Sequence, residues 1–169
     1  MSMSRMQSNG QAAVEVLTYA AFFFLVFVSA VAVFLSVQDQ ELARAQNAYA
    51  QEIAYGLADS VHTAFVAGPG FVQGVSLPRD ILGRPYYISI SRSPDASSVA
   101  TGFVYIEWQS GGKSRSFSAP TVTASYDYAG GADGMVTSPA GGNFIIIDPA
   151  KGSVLNISNE GSGIMVMKG

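Results

Sequence analysis

The chain has no cysteine, one histidine and one tryptophan among its 169 residues. The absence of cysteine excludes disulfides, thiolate nucleophiles and cysteine-ligated metals. Charge is also scarce: 9 basic and 12 acidic residues give a formal net charge of -3, and they form neither a block nor a basic stripe. A nucleic-acid partner is therefore not expected, because such a partner requires clustered Lys and Arg side chains.

Combinations of side chains that carry out catalysis are missing as well. Without a second histidine, His62 is interpreted as packed or solvated and not as a metal ligand or general base. Asp127 and Asp133 flank a glycine-rich stretch, but two carboxylates are thin support for calcium, and a turn at Asp133-Gly134 is the better interpretation. GPGFVQG, residues 68–74, lacks the dinucleotide-binding spacing and is read as a helix stop. We expect no enzymatic activity, catalytic residue, metal or cofactor.

What the chain does have is a long apolar run near its N-terminus. From Val16 to Val37 it contains 22 uncharged residues, of which 14 are Val, Leu or Phe. As a helix this run is about 33 Å long, which matches the ~30 Å hydrocarbon core of a bilayer. The apolar side chains favour insertion by roughly 4–8 kcal/mol. The run therefore predicts a helix that can span a membrane.

A single carboxylate, Glu15, directly precedes this run, and three interpretations compete for it. A secretory signal would end at a small-residue site such as Val28-Ser29-Ala30, but the apolar run continues past it. In a plain single-pass anchor, Glu15 would be an interfacial residue near the partial positive charge of the helix N-terminus. In the third interpretation the chain is cleaved between Gly10 and Gln11, and Glu15 becomes the fifth residue of the mature chain.

The third interpretation is supported by a resemblance. A polar leader ending in Gly10, then Gln11, a glutamate at the fifth mature position and a long apolar run resemble the class III signal of type IV pilin-like proteins. The stretch GQAAVEVLTYAAFF is closest to the archaeal members, which favour Gln after the cut. The match covers residues 9–38, with one departure at Asn9, where many family leaders carry Lys or Arg. The resemblance implies that residues 1–10 are a leader peptide removed by a prepilin peptidase.

The resemblance also implies a role for Glu15. Cleavage leaves an ammonium group on Gln11, and in the family the carboxylate at the fifth position neutralises the terminal amine of a neighbouring subunit as the helices pack into a filament. Such a pair would set the axial register of the subunits, because an unpaired buried charge is costly. The implied partners are copies of the same chain, the prepilin peptidase, an assembly ATPase and a membrane platform protein. The implied location is the cytoplasmic membrane before assembly and an extracellular surface filament afterwards.

The helix is expected to continue beyond the apolar run. Residues 11–37 form the hydrophobic part, and residues 38–67 are rich in Ala, Glu and Gln and contain no proline. Gly68-Pro69-Gly70 is the predicted stop, because glycine caps a helix and proline cannot continue it. The amphipathic part has apolar residues at spacings of three and four, which predicts one buried stripe: Leu42, Ala45, Tyr49, Ile53, Leu57, Val61 and Phe65.

Residues 68–169 differ in composition and form the predicted head domain. They contain all seven prolines of the chain, and short alternating apolar segments predict strands at 86–91, 103–108, 116–118, 144–147, 154–158 and 164–167. Turn clusters at 110–113, 150–153 and 159–162 predict that consecutive strands pair as antiparallel hairpins. The expected fold is α+β, with a long N-terminal helix as the stem of a lollipop-shaped subunit and an antiparallel β-sandwich as its head.

Two further features concern the surface of the head. Its aromatic residues, such as Tyr86, Tyr87 and Trp108, are interpreted as core in preference to an exposed binding surface. Asn156-Ile157-Ser158 is the one N-glycosylation triplet in the chain, so Asn156 is the candidate glycosylation site.

These features together predict a structural subunit of an extracellular archaeal type IV pilus. An adhesive role is expected because LGRPYYISIS, residues 82–91, followed by glycine-rich hairpins also resembles the heads of archaeal adhesive pilins. One alternative is an archaellin, a filament of the same construction that rotates for swimming. Another is a membrane-anchored binding protein that never polymerises. Bacterial pseudopilins have similar N-termini, but they tend to carry cysteines in their heads.

Overall fold

A computed structural model of the chain describes residues 3–91, 102–123, 125–130, 134–139 and 144–169, with side chains from residue 11 onward. The chain divides into two compact units, Met1–Leu42 and Ala43–Gly169. The first unit is entirely helical where it is described. The second contains the end of the helix and the strands that the structure describes. The expected α+β class, with one long N-terminal helix followed by a β head, is confirmed.

Helix α1 runs from Met3 to Ala67 without a break. It begins upstream of Gln11, where the sequence predicted its start, and it tolerates Gly56 in its interior. It ends where predicted, because Gly68 adopts a positive φ of 84° that terminates a helix at low cost and Pro69 follows.

The buried face of α1 in the second unit differs from the predicted stripe. Ile53, Leu57 and Val61 are buried as expected, and Tyr49 is partly buried against the core, but Leu42, Ala45 and Phe65 are exposed. The rest of this face consists mostly of small residues, and alanine lets the helix backbone approach the sheets closely. The remaining buried positions of this face are Gln46, Ala50, Ala54, Ala58, Ser60 and Ala64.

Among its described residues, the second unit has nine strands, which form two sheets. The four-stranded sheet has the order β1-β8-β9-β5 and the five-stranded sheet has the order β4-β3-β2-β7-β6. Every strand pair is antiparallel except β5 with β9, which is parallel. The strands are β1 (Val72–Ser76), β2 (Tyr86–Ser91), β3 (Gly102–Ser110), β4 (Lys113–Thr121), β5 (Tyr126–Ala129), β6 (Val136–Thr137), β7 (Phe144–Ile147), β8 (Val154–Asn159) and β9 (Ile164–Lys168).

All six predicted strands are present, and two of the three predicted hairpins are confirmed. β3 and β4 pair through Gly111 and Gly112, whose φ values of 59° and 73° suit a tight hairpin turn. β8 and β9 also pair as a hairpin. The prediction at 150–153 was wrong, because β7 and β8 belong to different sheets. A short 3₁₀ turn, Pro149–Lys151, capped by the Asp148 side chain, connects them. The sequence did not predict β1, β5 or β6.

One hydrophobic core is shared by the helix and both sheets. Ile88, Ile106 and Ile147 come from the five-stranded sheet, whereas Leu155 and Ile157 come from the four-stranded sheet. Three aromatic residues are part of this core, as the sequence predicted for the aromatic set in general: Tyr86, Trp108 and Tyr126. Tyr87 differs, because the alternation of the strand turns it outward and leaves it about half exposed.

Candidate assembly helix and modification sites

The first unit presents an apolar surface on every side of α1. From Val14 to Val37 the large apolar side chains are between 40% and 73% exposed. Phe22, Phe23 and Phe24 are consecutive and all exposed, and successive residues of a helix point about 100° apart. By length and composition α1 contains a segment able to cross a membrane, and none of that segment is buried within the chain. Exposure of such a surface to water is unfavourable, so the segment is compatible with insertion in a membrane.

Two hydroxyl groups within this apolar segment are satisfied by the helix itself. The Thr18 hydroxyl donates to the carbonyl of Val14 at 2.8 Å, and the Ser29 hydroxyl donates to the carbonyl of Leu25 at 2.8 Å. Hydrogen bonds back to the preceding turn remove the cost of placing a free hydroxyl in an apolar environment. The segment can therefore be enclosed in lipid or among helices without leaving these two donors unpaired.

Glu15 lies on α1 with its side chain exposed. It is four residues after Gln11, so the two residues share one face of the helix, about 6 Å apart along its axis. If the chain begins at Gln11, Glu15 is in the first turns of the mature helix, where a carboxylate is favoured. No described part of the chain covers this carboxylate.

The predicted processing site lies within the helical span. The Gly10–Gln11 bond is part of α1, which starts at Met3, and the side chain of Gln11 is exposed. No feature of the described fold encloses Gln11. Cleavage at this bond stays a prediction.

The candidate glycosylation site lies on the outer side of the four-stranded sheet. Asn156 is in β8 between Leu155 and Ile157, which both face the core, so its own side chain points away from the core and is partly buried. Gly74 is its partner on β1, and an added side-chain carbon there would lie 3.5 Å from Asn156 Oδ1. Ser158 of the triplet is buried, and its hydroxyl donates to Glu160 Oε1 at 3.1 Å.

The weaker candidates for metal binding form no cluster among the residues that the structure describes. His62 is exposed on α1. Asp127 is exposed in β5, and its Oδ1 accepts from the backbone N–H of Tyr128 at 2.9 Å. Asp133 lies outside the described residues. Among the residues that the structure does describe, no group of three His, Asp or Glu side chains is placed to hold a metal ion.

A polar contact that the sequence did not predict joins the end of α1 to the four-stranded sheet. Asn159 is buried at the end of β8, and its Nδ2 donates to the carbonyl of Ala64 at 3.0 Å. Its Oδ1 accepts from the backbone N–H of Gly161 at 2.9 Å. One side chain thereby satisfies a carbonyl of the last helical turn and forms the β8–β9 turn. The sequence signal was an asparagine directly before a glycine-rich turn.

Comparison of the chain with protein-family models, with curated proteins and with solved structures gives no match. Its function is therefore inferred from its own residues and geometry.

Proposed function

We propose that the chain is a structural subunit of an extracellular archaeal type IV pilus with an adhesive role. The subunit is inserted in the cytoplasmic membrane, processed between Gly10 and Gln11 by a prepilin peptidase, and polymerised by an assembly ATPase and a membrane platform protein. In the filament its apolar helix packs among copies of itself, and the β heads face outward.

The observation that carries this proposal is the unequal burial of α1. Residues 43–67 share a core with the sheets, whereas the large apolar residues from Val14 to Val37 are exposed on all sides. In the membrane lipid covers that surface. After the subunit leaves the bilayer, only like helices can cover it without exposing apolar area to water, at roughly 25 cal/mol for each Å².

Glu15 distinguishes polymerisation from simple anchoring. An anchor gains less than about 1 kcal/mol from a carboxylate near the helix N-terminus. In a helical filament, the carboxylate is enclosed together with the ammonium group of a neighbouring Gln11, and removing one member of such a buried pair costs about 3–5 kcal/mol. The two functions therefore predict different consequences for the same substitution.

The test is the substitution Glu15→Gln, with Glu52→Gln as the matched control. Both residues are exposed on α1, but Glu52 lies in the second unit. We expect both variants to insert in the membrane as well as the wild type, since insertion depends on the apolar run. Sheared filament yield should fall by more than about tenfold for Glu15→Gln only, because a buried ammonium loses its partner. Mass spectrometry of the same filaments should give a mature N-terminus at Gln11.

Equal filament yields from wild type and Glu15→Gln would contradict the pairing of Glu15 with a neighbour. Absence of this chain from surface filaments would instead support the membrane-anchored binding protein. An intact leader in assembled filaments would overturn the family assignment. A swimming assay on a deletion strain separates an adhesive pilus from an archaellin, since only loss of the latter abolishes swimming.

A further inference from the structure

The outer surface of the five-stranded sheet carries aromatic side chains that the core does not use. Ile88 in β2 and Ile106 in β3 pair with each other and are fully buried, so residues one position away point to the opposite face. Four aromatic residues occupy such outward positions, and we name them the outer aromatic face: Tyr87, Phe103, Tyr105 and Phe144.

The strand register brings three of these rings together. Phe144 on β7 pairs with Ser91 on β2, and the backbone N–H of Phe103 on β3 donates to Ser91 Oγ at 2.7 Å. Phe103 and Phe144 therefore lie on opposite sides of Ser91, and their positions are two strand spacings, or about 10 Å, apart. The ring of Tyr105 is 6.0 Å from that of Phe103 and 6.4 Å from that of Phe144. The rings thus form a continuous surface across three strands.

These side chains remain accessible in the folded head. Phe103 is 38% exposed, Phe144 45% and Tyr87 52%. Aromatic side chains bury about 150–250 Å² each when enclosed, so these three expose roughly 200–350 Å². Exposed apolar patches of a few hundred Å² on a soluble domain mark binding sites more often than isolated exposed residues do.

The surroundings of the outer aromatic face are polar but almost uncharged. The neighbouring strand β4 contributes the exposed hydroxyls of Ser114, Ser116 and Ser118. Glu107, the partner of Tyr87, is the one charged residue among the described outward positions of the five strands. A ligand that fits this surface has apolar faces for the rings, hydroxyl groups for the serines and no net charge.

Other classes of partner fit less well. Nucleic acids stack on aromatic rings but require a positively charged groove, and anionic membranes require clustered Lys or Arg. A second copy of the chain would need about 800 Å² on each partner for a stable interface. The exposed rings of the outer aromatic face supply only roughly 200–350 Å² of that area. A sugar ring meets the requirements, because its C–H groups form an apolar face and its hydroxyls project from the edge.

We propose that the outer aromatic face binds an uncharged polysaccharide, with sugar rings stacked on Phe103 and Phe144 and contacted by Tyr105. A flat, extended β-1,4-linked hexose chain suits a binding surface that crosses three adjacent strands. This inference deepens the adhesive role and rests on the proposed function for its biological purpose. The binding itself requires only the folded head.

Isothermal titration calorimetry of the full chain with cellohexaose and with hexa-N-acetylchitohexaose tests this inference. The chain is kept unassembled in a phosphocholine detergent, whose headgroup is not a sugar and does not compete. Phe103→Ala and Phe144→Ala are each expected to weaken binding by about five- to tenfold, since each removes one aromatic contact. Phe65→Ala is the matched control, because this phenylalanine is 51% exposed on α1 and should leave binding unchanged.

Folding of each variant is checked by the fluorescence of Trp108, which is buried and reports on the core. Failure of the folded wild type to bind either oligosaccharide at millimolar concentration would overturn the inference, as would equal binding by the Phe103→Ala and wild-type chains. Preference for dextran sulfate over both neutral sugars would also overturn it. Binding is measured on unassembled subunits, so a negative result would overturn the polysaccharide inference without contradicting filament formation. Conversely, a defect in filament formation would not contradict a positive binding result.

Discussion

Tyr126 is a residue whose burial links the stability of the head to pH. Burial raises the pKa of Tyr126 to about 12, against a smaller lowering by its hydrogen bond with Thr121 Oγ1, 2.6 Å away. In the unfolded chain the pKa of this tyrosine is about 10. Its contribution to the free energy of unfolding is therefore complete below pH ~10, and roughly 2–3 kcal/mol of that contribution is lost as the pH rises towards 12. Burial also raises the pKa of Tyr86. We therefore expect the head to lose stability in alkaline solution, measured by denaturant unfolding between pH 8 and 11.

Variants at tyrosine separate this effect from general alkaline denaturation. At neutral pH the free energy of unfolding of Tyr126→Phe should be about 1 kcal/mol lower than that of the wild type, because the hydrogen bond is missing. Above pH ~10 the free energy of unfolding of this variant should fall less steeply with pH than that of the wild type. Tyr87→Phe is the control, since Tyr87 is exposed and its substitution should not change the slope. If the free energy of unfolding fell equally steeply with pH in Tyr126→Phe and in the wild type, the alkaline loss of stability could not be assigned to Tyr126.

Asn156 is the residue at which we expect a glycan. Its side chain points away from the core, but Ser158, which the transferase must also recognise, is buried. Modification is therefore expected before the β8–β9 hairpin folds. Peptide mapping of cell-derived protein should find the glycan on Asn156 in wild type and in Ser158→Thr, which keeps the triplet, but not in Ser158→Ala. A bare Asn156 in wild type would contradict the prediction.

At the scale of elements, α1 illustrates how the same helix serves two environments. Within the head its buried face combines a few large residues with several alanines, whereas the apolar run has no preferred face. The stability of the head should therefore depend on the buried face of α1 and not on the apolar run. Leu42 and Phe65 are apolar but exposed, and they belong neither to the hydrophobic core nor to the apolar run.

Substitution of leucine on α1 measures this difference. Leu57→Ala should lower the free energy of unfolding of the head by about 2–5 kcal/mol, because it opens a cavity in a fully packed core. Leu42→Ala removes the same atoms at an exposed position and should change it by less than about 0.5 kcal/mol. Urea unfolding of the full chain in detergent gives both values. A comparable loss in the two variants would show that residue 42 is buried in solution.

At the scale of the whole molecule, the division into two units predicts where the chain can be cut. Among the described residues, the hydrophobic core extends from Ala50 to Val166. A fragment of residues 43–169 should therefore be soluble without detergent and unfold cooperatively. A fragment of residues 68–169 should not fold, because it lacks the helical side of the core, including Ile53, Leu57 and Val61.

Circular dichroism melts of the two fragments and of the full chain check this prediction. The melting temperature of fragment 43–169 should agree with that of the head in the full chain. An unfolded or aggregated 43–169 fragment would contradict it, since residues 11–42 would then contribute to head stability.

The sequence by itself determined the features that depend on neighbours along the chain. An apolar run without charge, the stop at Gly68-Pro69-Gly70 and the alternation in strands such as β2 and β3 are local, and the structure agrees with them. The candidate roles of Gly10, Gln11 and Glu15 rest on the resemblance to the class III signal, and they stay predictions. Local patterns act through backbone sterics and side-chain periodicity, which do not require knowledge of distant contacts.

Only the tertiary structure decided the features that depend on distant partners. It placed Ala64 and not Phe65 on the buried face of α1, put β7 and β8 in different sheets, and paired β5 with β9 in parallel. It also decided which aromatic residues entered the core and which formed the outer aromatic face. The physical reason is that alternation along a strand divides residues into two sets, but whether a set meets the helix and the opposite sheet or the solvent depends on packing between elements far apart in sequence.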